Sequence, residues 1–89
     1  MIERSVTIIN KLGLHARASS KFVSLASKFH SQIELSRGTK IVNAKSIMGV
    51  MMLAAAKGAE LSLKTEGDDE TQAMETLIKL IENQFDEAE

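Results

Sequence analysis

The hydrophobic residues of this 89-residue chain recur with two different spacings, and each stretch keeps to one of them. That switching restricts the fold more than any other feature, because a period of two marks a half-buried strand and a period near 3.6 an amphipathic helix. From Ile2 to Ile8 the even positions are Ile, Arg, Val and Ile, and the odd ones between them Glu, Ser and Thr, which predicts a first strand. The same alternation returns in Ile33-Glu34-Leu35-Ser36 and in Leu61-Ser62-Leu63-Lys64-Thr65, with a shorter run from Thr39 to Asn43 after the turn signal Arg37-Gly38. Between them Phe22, Leu25, Ala26 and Phe29 form a helical stripe, on a helix expected to begin near Ala16. A second helix is expected from Ser46 to just before Gly58. A third runs from about Glu70, with Met74, Leu77, Ile78, Ile81 and Phe85 on one face and Asp69 with Gln72 as a capping box.

The predicted order is βαββαβα. Strands that alternate this cleanly leave one sheet face to water, which favours an antiparallel or mixed sheet over a parallel one covered on both sides. Four strands and three helices in so short a chain pack most economically in two layers. The expected class is therefore α+β: an open-faced two-layer sandwich, a four-stranded antiparallel sheet with three helices on one face. A mass of 9.7 kDa leaves room for a single domain over residues 1–89, and no linker or repeat interrupts it.

Composition removes several function classes. Eleven Lys and Arg against twelve Asp and Glu give a net charge of −1, so the field on which nucleic-acid binders depend is missing. An RNA-binding ferredoxin-like domain shares the strand order, but the three Phe all fit helices and no Tyr or Trp offers a stacking platform. Cysteine is absent, and with it disulfides, thiolate chemistry and Cys-rich zinc sites. The longest nearly unbroken apolar run, Ile47 to Ala56, is half of the roughly 20 residues that a spanning helix needs. Glu3 is out of keeping with a signal peptide, so a cytoplasmic location is the default expectation.

Two histidines, His15 and His30, flank the first predicted helix. At 1.5 Å per residue an intact helix would hold them roughly 22 Å apart, too far to share a metal or a proton relay. No metal or cofactor is expected, since no phosphate-cradling Gly-rich loop and no acid pair for Mg²⁺ is present. A hydrolytic triad is poorly supported as well, because Ser19 and Ser20 lie in the helix and no acid is near His15 in sequence to orient the ring. His15 itself stands where the helix begins, in Lys11-Leu12-Gly13-Leu14-His15-Ala16-Arg17-Ala18. The free N–H groups and partial positive charge of a helix start suit an anion such as phosphate. Arg17 would add a guanidinium to phosphoryl oxygens. A histidine there is also an ordinary tolerated cap, and His30 is assigned no function.

Gly13-Leu14-His15-Ala16-Arg17, followed some thirty residues later by Lys45-Ser46-Ile47-Met48-Gly49-Val50-Met51, resembles the HPr family, the histidine-containing phosphocarriers of the phosphoenolpyruvate-dependent phosphotransferase system. The likeness covers essentially the whole chain. It implies that His15 is phosphorylated on Nδ1 by phosphorylated enzyme I and passes the group to a sugar-specific or regulatory partner. It also implies that Arg17 faces the phosphate and that Ser46 is the serine an ATP-dependent kinase modifies in many members. Such a protein is a phosphoryl carrier rather than a stand-alone catalyst. One residue departs from the pattern: Ala18 stands where the family usually has proline, a change expected to loosen the turn without preventing transfer.

Ser46 is in any case a preferred N-cap. Ile47, Met48, Met51 and Met52 crowd six positions, and the buried stripe of a short helix cannot take them all. Some should be exposed, on a surface where methionine adapts to several partners, and the resemblance implies that this helix adjoins His15 and completes a docking face, with Ile47, Met48 and Met51 expected there. The competing reading is a regulatory binding module, controlled by phosphorylation of His15 or Ser46, that takes no part in sugar transport.

Overall fold

A computed structural model describes residues 1–87. The elements run β1 (Ile2–Thr7), α1 (Ala16–Ala26), β2 (Gln32–Arg37), β3 (Lys40–Asn43), α2 (Ile47–Met52), β4 (Glu60–Glu66) and α3 (Glu70–Glu82), with a 3-10 turn at Gln84–Asp86. The sheet order is β1-β4-β2-β3 and every neighbouring pair is antiparallel. β4 therefore lies between β1 and β2, and Leu63 is opposite both Arg4 and Leu35. The expected open-faced sandwich is the fold found.

The period of two does its work in β2 and β4. Ile33 and Leu35, Leu61, Leu63 and Thr65 are buried under the helices. The alternate residues form a polar outer face, on which Lys64 pairs with Glu34 at 3.6 Å and the Ser62 hydroxyl donates to Glu3 at 2.8 Å. α1 contributes Ala18, Phe22, Val23 and Ala26 to the core, and α3 contributes Ala73, Met74, Leu77, Leu80 and Ile81. Each Leu, Ile or Phe taken fully out of water adds about 1.5–3 kcal/mol to the gross driving force.

Four elements end differently from expectation. β1 stops at Thr7, and the Ile8 N–H turns to the Ala59 carbonyl at 2.9 Å. α1 ends at Ala26, so Phe29 and His30 lie beyond it rather than on its last turn. α2 does not reach Gly58: it ends at Met52, and Ala54 takes the left-handed conformation at φ +49°. Its terminal carbonyls are covered from the β2–β3 hairpin, the Arg37 guanidinium donating to Leu53 and Ala54 and the Lys40 ammonium to Met52. α3 ends at Glu82, and Phe85 is outside it, returned to the core through three consecutive left-handed residues, Gln84, Phe85 and Asp86.

The capping box at α3 is also replaced. Asp69 makes no side-chain bond to its own helix. Its carboxylate instead accepts from the N–H groups of His30 at 2.8 Å and Ser31 at 3.0 Å and from the Ser31 hydroxyl. The Ser31 hydroxyl, followed by the His30 N–H, holds the Asp69 carboxyl at about 2. Glu70 closes the turn in its place, accepting from the N-terminal ammonium at 2.8 Å and from the Gly67 N–H at 3.0 Å, and these bonds lower its pKa. No helix among the described residues is long and apolar enough to cross a membrane.

Candidate functional site

The connection from β1 to α1 is fastened to the connection between α2 and β4. Gly13 adopts φ +66° directly over the second connection, where a Cβ would come within 2.5 Å of the Ala55 carbonyl oxygen. The Leu14 N–H donates to that same oxygen at 2.8 Å. Such a close left-handed approach is open to glycine alone. Ser19 pins the other side, its hydroxyl donating to the Leu14 carbonyl at 3.1 Å and its N–H to the His15 carbonyl at 2.8 Å. His15 is thereby set as the N-cap of α1 in extended conformation, with its ring making no capping bond. The N–H groups of Ala16, Arg17 and Ala18 follow it as the first turn, without acceptors inside the helix.

The ring is held from the far end of the chain. His15 Nε2 is 2.5 Å from Glu87 Oε2, with the His15 side chain 27% exposed and that of Glu87 11%. The other carboxylate oxygen accepts from the Asn10 amide at 3.0 Å, and the same amide nitrogen donates to the Gly13 carbonyl at 2.9 Å. Burial is the largest influence on the Glu87 carboxyl and raises its pKa. The bonds from Asn10 and His15, with the charges of His15 and Lys21, outweigh it, so the group stays below its ordinary value. Among the described residues nothing hydrogen-bonds His15 Nδ1. The acid that the local sequence lacked is therefore supplied by Glu87, together with Asn10, and neither was singled out from sequence. A separation of 72 residues carries no periodic signal.

The other predicted residues are accounted for as follows. Arg17 is exposed on the first turn of α1 and makes no ion pair among the described residues, whereas Ala18 is fully buried against the core. Ser46 caps α2, its hydroxyl accepting from the Gly49 N–H at 3.1 Å. In α2 only Val50 is buried; Ile47, Met48, Met51 and Met52 are all exposed, Met48 by 72%. This helix packs against α1, so the apolar surface adjoins the helix that His15 begins. His30 is remote in function: it approaches Asp68 and Asp69 with ligand atoms within 4.8 Å of one another, but both Asp69 oxygens already accept backbone hydrogen bonds.

A helix start bearing a partly exposed imidazole, with one nitrogen held and the other without a hydrogen bond among the described residues, is suited to carrying a phosphoryl group. The family model described as "PTS HPr component phosphorylation site" matches residues 2–83. The chain belongs to the HPr family. It is 57% identical over all 89 residues to the phosphocarrier protein HPr of Cupriavidus necator and 54% identical over 89 residues to that of Neisseria meningitidis, covering the whole of both proteins in each case. A solved HPr structure from Thermoanaerobacter tengcongensis superposes with a TM-score of 0.96 at 49% identity, over 100% of both chains. HPr proteins are phosphocarriers of the phosphotransferase system, and phosphotransfer through a histidine follows for this chain from the family.

Proposed function

We propose that His15 Nδ1 accepts a phosphoryl group from phosphorylated enzyme I and delivers it to a sugar-specific or regulatory protein of the phosphotransferase system. The observation that carries this reading is His15 Nδ1 at the N-terminus of α1, without a hydrogen bond among the described residues and beside first-turn N–H groups that have no acceptor inside the helix. In the forward step the Nδ1 lone pair forms a bond to phosphorus, and the bond from phosphorus to the donor breaks with its electrons going to the donor. In a neutral ring with its proton on Nε2, Nδ1 has no proton to lose. The first-turn N–H groups and the Arg17 guanidinium face charge that grows on the phosphoryl oxygens during transfer. Ala18 adds to that turn an N–H that proline would lack.

Ser46 fits a regulatory phosphorylation site served by an ATP-dependent kinase and phosphorylase, since a helix N-cap accommodates added anionic charge. Ile47, Met48 and Met51 fit the docking face for enzyme I and the acceptors, consistent with their exposure beside α1. A cytoplasmic location suits such partners. The test is to incubate the protein with enzyme I and phosphoenolpyruvate and follow an acid-labile, alkali-stable phosphate by mass. Label is expected on the wild type and lost in His15→Ala; label that persists in His15→Ala, or resides on His30, refutes the assignment.

A further inference from the structure

Three of the chain's five methionines fall within the six residues of α2. Met48, Met51 and Met52 are spaced i, i+3 and i+4, which sets them on one face of the helix. That face is turned to water, with exposures of 72%, 40% and 60%. None of the three supports the core. Val50 alone of the helix is buried, Ser46 caps its start through the Gly49 N–H, and Arg37 and Lys40 cover the carbonyls at its end. Met74 is the opposite case, 3% exposed among the inward residues of α3. An apolar docking surface does not in itself call for sulfur, since Leu has nearly the same volume and helix propensity as Met. What Met adds, besides flexibility, is a thioether that peroxides oxidise. With no cysteine in the chain, no thiol competes for the oxidant.

We propose that Met48, Met51 and Met52 form a peroxide-responsive modification site, whose oxidation releases the protein from enzyme I. The oxidant is a hydroperoxide. Its O–O bond breaks as one oxygen bonds to sulfur through a sulfur lone pair; the proton that oxygen carried passes to the other, which leaves as water when the oxidant is hydrogen peroxide. Sulfur is thus oxidised by two electrons and the peroxide reduced by two. Each thioether becomes a sulfoxide, a polar group that accepts hydrogen bonds. Against an apolar partner surface that oxygen must give up its water without a replacement, which lowers affinity by about tenfold for each sulfoxide covered. The core is spared, because Met74 is shielded from solvent. Docking is therefore lost while the fold stays intact. A methionine sulfoxide reductase reverses the change: its thiols remove the oxygen as water and become a disulfide.

This inference rests on α2 being the docking face for enzyme I, and the experiment separates the two. The protein is treated with hydrogen peroxide, freed of the oxidant, mapped by peptide mass and titrated with enzyme I, with thermal unfolding of each sample. Sulfoxide should build up at Met48, Met51 and Met52 before Met74, without a lowered unfolding midpoint. Affinity for enzyme I should fall at least about tenfold, and return after incubation with a dithiol and reductases for both sulfoxide epimers. In protein carrying Met48→Leu, Met51→Leu and Met52→Leu together, affinities before and after treatment should be equal, whatever their starting value. The exposed Met1 is still oxidised there, so the comparison assigns the effect to α2. Untreated protein carrying Met48→Gln, Met51→Gln and Met52→Gln tests the surface beneath. If it binds enzyme I as wild type does, the docking reading falls and the proposal with it. If it binds weakly while oxidised wild type keeps full affinity, the proposal alone is overturned. Oxidation of Met74 as early as the others, a fold lost on treatment, or an equal fall in the Leu variant overturns it too.

Discussion

At the scale of single residues, Gly13 is where one added methyl group does most harm. Gly13→Ala would place a Cβ 2.5 Å from the Ala55 oxygen and 2.8 Å from the Ala56 Cα, both backbone atoms that cannot swing aside, at a φ of +66°. Left-handed strain alone costs about 1–3 kcal/mol. Equilibrium denaturation should therefore show Gly13→Ala less stable than wild type by at least about 2 kcal/mol, and equal midpoints would contradict the tight crossing of the two connections. His15 was legible in sequence, because it stands just before a helical stripe, whereas Gly13 was seen only as part of the motif and not as the site of a close crossing. Glu87 and Asn10 were not. Their relation to His15 depends on where the chain arrives after α3, and three left-handed residues decide that without any hydrophobic pattern to betray it.

At the scale of elements, the strands were read well and the helix ends poorly, for a physical reason. Alternation in β2 and β4 is imposed by a sheet with one wet face, so side-chain type reports burial directly. Helix ends are set by whichever groups reach the terminal N–H and carbonyl groups, and these come from elsewhere in the fold. Ala54-Ala55-Ala56 favours helix by propensity, yet α2 stops before it because Arg37 and Lys40 cover its carbonyls and the Ala55 carbonyl is needed by Leu14. Asp69 is the same lesson at the start of α3, and it makes a prediction in acid. Its carboxyl is lowered from 3.8 to about 2 by the Ser31 hydroxyl and the His30 and Ser31 N–H groups. A depressed carboxylate contributes stability that is complete above the ordinary value and disappears as the pH falls through the folded one. Asp69→Ala should thus be less stable than wild type at neutral pH, and the gap should close between about pH 4 and pH 2. Denaturant titrations across that window check this; a gap independent of pH would mean that the carboxylate contributes only by packing.

On the scale of the whole molecule, the outer surface of α2 gathers four large exposed apolar side chains, Ile47, Met48, Met51 and Met52. If partners dock there, as proposed, Ser46→Asp should weaken association with enzyme I while leaving the fold intact. The carboxylate can still accept from the Gly49 N–H as a cap, but an apolar interface must then desolvate or oppose a new charge beside it. Titration of enzyme I against wild type and Ser46→Asp, with thermal unfolding of each, gives the answer; equal affinities, or a clearly less stable mutant, refute it. The sheet order has a consequence of another kind. β4, made late, is the strand that joins β1 to β2, and Glu87, made later still, meets a ring encoded near the start. On the ribosome the emerging chain can form the β2–β3 hairpin and little more of the sheet, since β1 has no neighbour until residues 60–66 have cleared the exit tunnel. The histidine therefore meets its carboxylate last of all, once residue 87 is free to fold back onto the start of α1.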